Sequence, residues 1–279
     1  MGSVTKTFVA TVVLQLVAER RLRLDEPAER WLPGLLPEGD RITIGDLLGH
    51  RSGLPDVADD PEVLAGSRSD LPPEELVALA AAEARTTAPG AFRYSSTNYL
   101  ALVLIVERAT GRGLAAELGD RIIRPLRLGS TTYEAGPIAG PHVHGHDRPA
   151  HQGIVDPTAE PRDLERRSAR WAGAAGDVVS TAGDLARFLA ALLGGRLLPP
   201  EQLAAMETVR DGYGLGLAVY PTRCGPAWGH TGNLNGVVTI AWSSRDGRRQ
   251  AVVAWNAYLL PVAADAALRR AAVTAFCGG

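Results

Sequence analysis

The sequence predicts an α+β fold with an all-helical lobe on one side of an antiparallel sheet. Three observations carry this. Helical patterning, punctuated by Gly and Pro, dominates the first two thirds of the chain. Apolar, strand-like runs follow at 213–220, 237–242 and 250–255, and the last two are joined by the tight-turn sequence Ser244-Arg245-Asp246-Gly247. An apolar helix over 261–276 closes the chain. Helices first, then a meander of three strands, then one helix, with no internal repeat, describes an α+β arrangement. The expected organisation is one domain over 1–279. Its helical lobe is inserted at about 22–170, and its sheet occupies about 213–256 with the helix 261–276.

In chain order, residues 3–20 show a mostly apolar helical pattern ending in Glu19-Arg20-Arg21. Pro33-Gly34 and Pro37-Glu38-Gly39-Asp40 are breakers. Arg41-Ile42-Thr43-Ile44 leads to a short helix start, and His50-Arg51-Ser52-Gly53-Leu54-Pro55 reads as a loop. The polar, Pro-rich stretch 56–72 is expected on the surface. Pro73 to Arg85 has Pro at its start and two Glu in its first turn, which predicts a helix. A second follows over Leu100 to Ala109, stopped by Gly111, and a third near 113–123. Residues 134–168, rich in Gly, Pro, His and charge, read as loop. Thr181-Ala182-Gly183-Asp184 caps a helix to Leu193, and Pro199-Pro200-Glu201 opens another to Met206.

Composition narrows the function. A formal net charge of −2 argues against nucleic acid or an anionic membrane surface as main partner. No apolar run reaches the ~18 residues that a membrane span requires, and no export signal is visible. Cys224 and Cys277 are the two cysteines, either one disulfide or two buried thiols. Among 29 basic residues Lys6 is the only lysine. In a chain that otherwise uses Arg, a retained Lys points to a need for an amine that can lose its proton.

Ser3 and Lys6 stand three positions apart, one helical turn from each other. A half-buried lysine can deprotonate and accept the hydroxyl proton, so Ser-x-x-Lys suits a nucleophile and its base; by itself Ser3 also suits a helix N-cap. Tyr94-Ser95-Ser96 precedes an apolar helix, where Tyr94 is either a proton shuttle or a buried, satisfied tyrosine. His230-Thr231-Gly232, between Gly229 and Asn233, lies at the edge of an expected strand. There, small residues either let a substrate approach backbone N–H donors or simply make a turn. His142, His144, His146 and His151 invite a metal reading, but no carboxylate or cysteine pattern completes a site, so no metal is expected. His50 reads as a structural loop histidine.

In this order Ser-x-x-Lys, Tyr-x-Ser and His-Thr-Gly resemble the three catalytic elements of the penicillin-recognising serine hydrolases. The similarity is greatest to the class C β-lactamase and serine D-alanyl-D-alanine carboxypeptidase branch, including the actinomycete DD-peptidases. Supporting blocks run through the chain, among them His50-Arg51-Ser52-Gly53-Leu54, Tyr94 to Tyr99 and Tyr213-Gly214-Leu215-Gly216-Leu217. The resemblance implies a β-lactamase/transpeptidase-like fold. It makes Ser3 the acylated nucleophile, with Lys6 and Tyr94 managing protons and His230 on the sheet edge, helping to hold Tyr94 and the substrate carboxylate. The N–H groups of Ser3 and Asn233 would form the oxyanion hole. Ser96, Trp171, Thr231, Gly232 and Asn233 would contact substrate. It also implies a Cys224–Cys277 disulfide, a secreted full-length form, a peptide, β-lactam or ester as small-molecule partner, and no cofactor, because a covalent acyl-enzyme splits the acyl transfer into two steps.

Three departures from the family pattern qualify these expectations. Ser96 replaces an Asn that bonds the substrate amide. Ala218-Val219 follows Tyr-Gly-Leu-Gly-Leu where the peptidases carry a carboxylate-gripping arginine. Both favour an altered acyl specificity, with a carboxylesterase on the same fold as the alternative. The family's N-terminal segment, an export signal, a helix and the first strands, has no counterpart before Ser3. The expectation is therefore a chain incomplete at its N-terminus, with a truncated, non-catalytic protein as a further alternative.

Overall fold

A computed structural model describes the chain except at 66–67, 69, 89, 134–137, 139–140, 148–149, 152–153, 156–159, 161, 164–171, 235, 257–261 and 279. At 64–65, 147, 150–151, 154–155, 162–163, 174 and 262–265 it describes the backbone alone. After a 3₁₀ turn at Gly2–Val4, helix α1 runs Thr5–Ala18. Nearly every residue from Thr5 to Leu14 is buried. A helix buried on all sides must be a core element, and α1 packs against α5 (Thr97–Thr110), α7 (Gly173–Gly176) and α9 (Pro200–Met206). The ring of Phe8 stacks on Phe188 of α8 (Ala182–Leu193), with centroids 3.6 Å apart.

The helical lobe adds α2 (Ile44–Leu48), α3 (Pro61–Ala65), α4 (Pro73–Ala81) and α6 (Leu114–Leu118). A capping box starts α2: Thr43 accepts the Asp46 N–H while the Asp46 carboxylate accepts the Thr43 N–H. Thr181 caps α8 in the expected way, accepting from the Asp184 N–H. Two-residue strands pair as β1 (Thr132–Tyr133) with β6 (Val178–Val179), β2 (His146–Asp147) with β5 (Arg162–Asp163), and β3 (Ala150–His151) with β4 (Ile154–Val155).

The main sheet is antiparallel with strand order β10-β9-β8-β7: Gln250–Trp255, Val237–Ser243, Ala227–Leu234 and Ala218–Tyr220. Its two faces follow the two-residue alternation of strands. Ala241 and Val252 join the main core on the α8 side. Ile240, Trp242 and Ala251 form a second core with Ala272 and Phe276 of α10 (Val262–Cys277). Cys224 and Cys277 are bonded, Cα atoms 5.6 Å apart, tying the β7–β8 connection to the end of α10.

The α+β expectation holds, with two corrections to the elements. The sheet has four strands, because the His-Thr-Gly segment is itself the eight-residue strand β8 rather than the edge of one. Its glycines, poor strand formers, mask it in the sequence. Conversely, 213–217 is not strand. Tyr213 bridges to Arg210 and Ala218, and the chain turns at Gly216 (φ +73°). A Cβ there would stand 2.3 Å from that of Ala10 and 2.9 Å from the Tyr99 hydroxyl.

Candidate active site

The 3₁₀ turn Gly2–Val4 places Ser3 at the lip of a cleft of about 400 Å³ between the helical lobe and strand β8. One turn later Lys6 lies fully buried beneath it. Lys6 Nζ donates to Ser3 Oγ at 3.0 Å and to the Ala175 carbonyl of α7 at 3.1 Å. Among the described residues no carboxylate bonds this amine. Burial therefore dominates and lowers its pKa to about 7, against a smaller upward pull from the Asp56 charge. Near neutrality Lys6 is an amine with an available lone pair, and Ser3 Oγ is the neighbour that lone pair can take a proton from.

Tyr94 comes from the loop before α5. Its ring lies under the amine, 4.9 Å from Lys6 Nζ to the centroid. Its hydroxyl is buried without a hydrogen-bond partner. Burial pushes its pKa well above the ordinary phenol value, and the nearby Ser3 hydroxyl tempers that shift without making a well-formed bond. Tyr94 is thus a neutral O–H beside Ser3, able to donate to an incoming group.

His230 on β8 is 4% exposed, and both its ring nitrogens are engaged within the protein. Nδ1 meets the Thr231 carbonyl, which can only accept, so Nδ1 carries the proton. Nε2 then accepts the Tyr213 O–H at 3.0 Å. Burial, assisted by the Lys6 charge, holds its pKa down at about 4, so the ring is neutral at pH 7. His230 lies beside Tyr94, ring centroids 6.1 Å apart, and hydrogen-bonds Tyr213 instead.

Strand β8 crosses the nucleophile turn backbone to backbone. A Cβ on Gly232 would stand 2.1 Å from the Met1 carbonyl oxygen and 2.9 Å from the Ser3 nitrogen. A Cβ on Gly2 (φ +59°) would stand 2.6 Å from the Asn233 nitrogen. Only glycines permit this approach, and it sets the amides of Ser3 and Asn233 near each other.

Ser3, Tyr94, Ser96, His230, Thr231, Gly232 and Asn233 all line the cleft. Trp171 lies outside the described residues, as does the side chain of His151. Among the described residues no three His, Cys, Asp or Glu side chains gather as a metal cage. His50 is buried in the loop after α2, where its Nδ1 accepts the Ser95 N–H at 3.2 Å.

Among the cleft residues that sequence reading missed are Tyr213 and Asp56. Tyr213 orients His230, and its Tyr-Gly-Leu-Gly context had suggested a strand. Asp56 heads the stretch expected on the surface, yet it lines the cleft, and Val57 and Val63 behind it are buried. The neighbouring Pro55, whose carbonyl accepts from Ser95 and Thr97, was the available sign that this segment docks on the Tyr94 loop.

Comparison with known proteins bears on the family and the fold. The family model described as Beta-lactamase matches residues 1–275. The chain is 33% identical over 257 residues to Esterase EstB of Burkholderia gladioli, covering 82% of this chain and 64% of the relative. It is 30% identical over 257 residues to Penicillin-binding protein 4 of Amycolatopsis lactamdurans, covering 84% of this chain and 66% of the relative. It thus spans less than two thirds of the length of these curated relatives. A crystal structure of a D-stereospecific amidohydrolase from Streptomyces sp. superposes with a TM-score of 0.88 at 35% identity, covering 100% of this chain and 86% of that one. With the family model matched almost end to end, the chain belongs to the beta-lactamase family.

Proposed function

We propose that this chain is a serine hydrolase that transfers an acyl group from an amide, peptide or ester to water through an ester on Ser3. The observation that carries the reading is the bond between Ser3 Oγ and a fully buried Lys6 amine whose pKa burial brings to about 7. The neutral amine keeps one N–H on the Ala175 carbonyl and takes the Ser3 proton as Oγ bonds the substrate carbonyl carbon. The N–H groups of Ser3 and Asn233 hold the resulting oxyanion. Collapse of that intermediate breaks the bond to the leaving group, which takes a proton from Tyr94 O–H, and the Lys6 ammonium replaces it. Water then attacks the ester by the same route reversed and returns Ser3 to its hydroxyl form. His230 and Tyr213 hold the β8 wall; Ser96, Thr231 and, from the family pattern, Trp171 bound the substrate.

Amide or peptide turnover is supported by the similarity to an amidohydrolase and a penicillin-binding protein; ester turnover is the second reading, supported by the esterase relative and by Ser96 and Ala218. Rates on a chromogenic acyl ester and on a D-Ala-D-Ala peptide separate them. The Cys224–Cys277 bond supports an oxidising compartment for the protein; among the described residues no helix is long and apolar enough to cross a membrane. Intact-mass analysis after a fluorophosphonate or a fluorescent penicillin tests the nucleophile. One adduct, lost in Ser3→Ala, is expected. A folded protein that takes neither label refutes the assignment.

A further inference from the structure

Among its described lining residues the cleft has one carboxylate, and the chemistry above leaves it without a task. Asp56 lines the cleft with Ser3, Tyr94 and Ser96. Its Oδ1 accepts two backbone N–H groups, from Ala58 at 3.0 Å and Ser96 at 2.9 Å. Oδ2 has no hydrogen bond in the described structure and is not sealed from the cleft. One half of the side chain is therefore fixed by the main chain, and the other half is presented.

The other described lining side chains bear no formal charge at neutral pH. They are aliphatic, hydroxylic, tyrosyl, one amide and the neutral His230, with no Arg or Lys among them. Lys6 lies below the cleft, with both its bonds inside the protein. Among the described residues a substrate carboxylate entering here meets a negative charge and no lining cation. A substrate ammonium meets a preorganised carboxylate beside Ser96, one loop away from the nucleophile.

We propose that Asp56 Oδ2 binds a cationic nitrogen on the acyl part of the substrate, so that the preferred substrates are amides, peptides or esters with a free amine near the scissile carbonyl. This rests on the hydrolase reading above and narrows it. Burial raises the Asp56 pKa, against the two N–H groups and Lys6, as expected of a carboxylate that lacks its counter-ion until the ligand arrives. The bound ammonium supplies it through a charge-assisted hydrogen bond.

The test uses Ser3→Ala, which cannot turn over, with and without Asp56→Asn. Asn keeps an oxygen for the Ala58 and Ser96 N–H groups and removes the charge. Binding of D-phenylalaninamide and of its N-acetyl derivative is measured by calorimetry at about pH 6.5, where the free amine is cationic. The expected result is tighter binding of the free amine, lost by about tenfold or more on Asp56→Asn, with the N-acetyl derivative changed by less than about twofold. Equal weakening of both ligands, no weakening of either, or binding of neither overturns the proposal. Because this reads binding and the Ser3 adduct reads the nucleophile, the two assignments fail separately.

Discussion

Lys6→Met separates the cost of the buried amine from its use. Lysine titrates at 10.5 in the unfolded chain and at about 7 here, a difference of about 3.5 pH units, or about 5 kcal/mol in favour of the neutral form. The folded pKa lies below the unfolded one. Between pH 7 and 10.5 the unfolded chain holds a proton that the folded chain has released, so stability rises with pH across that window. Below pH 7 both states are protonated and the full penalty stands. At pH 7 the linkage expression gives a penalty of about 4 kcal/mol, and at pH 9 about 2 kcal/mol. Methionine fills similar volume without titrating, but it leaves the Ala175 carbonyl unpaired at about 1–3 kcal/mol. The absolute difference between the proteins is therefore small, whereas its pH dependence is large. Urea unfolding of both from pH 6 to 10 should show the stability of Lys6→Met relative to wild type falling by about 2 kcal/mol from pH 7 to 9. On the proposed mechanism, wild-type kcat/KM should rise with pH through an apparent pKa near 7, while Lys6→Met loses turnover. A stability difference flat in pH, or an activity limb near pH 10, refutes a neutral Lys6.

Three further outcomes are expected. Tyr94→Phe should lower kcat/KM by about 10²–10⁴-fold while thermal stability stays within a few degrees, because the deleted hydroxyl is buried and makes no bond; a large stability loss in a melting scan would give Tyr94 a structural role instead. Tyr213→Phe strips the donor from His230 Nε2 and leaves a buried acceptor unpaired, costing about 1–3 kcal/mol in denaturant unfolding. Cys277→Ser opens a link between positions 53 apart, worth about 4 kcal/mol on the chain-entropy model. Unfolding midpoints should show that loss, with Ser3 labelling retained at low temperature because the bond lies between β7–β8 and α10, outside the cleft.

What the sequence disclosed and what it hid follow a physical division. Ser3 and Lys6 were readable because a helix fixes the relation of residues three apart, and an apolar run predicted the helix. The sheet was readable from alternation at 237–242 and 250–255. It was hidden at β8, where close backbone approaches demand glycines that strand propensity penalises. Tyr213 was hidden because its partner is 17 positions away and the link is a side-chain hydroxyl. Asp56 was hidden because a charged residue in a Pro-rich stretch ordinarily faces water. Only the docking of that loop onto the Tyr94 segment turns it inward.

The crossing of β8 over the nucleophile turn has an evolutionary consequence. The donors that would hold the carbonyl oxygen belong to the main chain, and what protects their spacing is the absence of side chains at Gly2 and Gly232. On the proposed reading, the walls that would meet the rest of the substrate are ordinary side chains: Asp56, Ser96 and Ala218. A saturation library should therefore divide sharply, with positions 2 and 232 tolerating almost nothing and positions 56, 96 and 218 trading one acyl group for another. Such a scaffold can change diet without rebuilding its reactive centre.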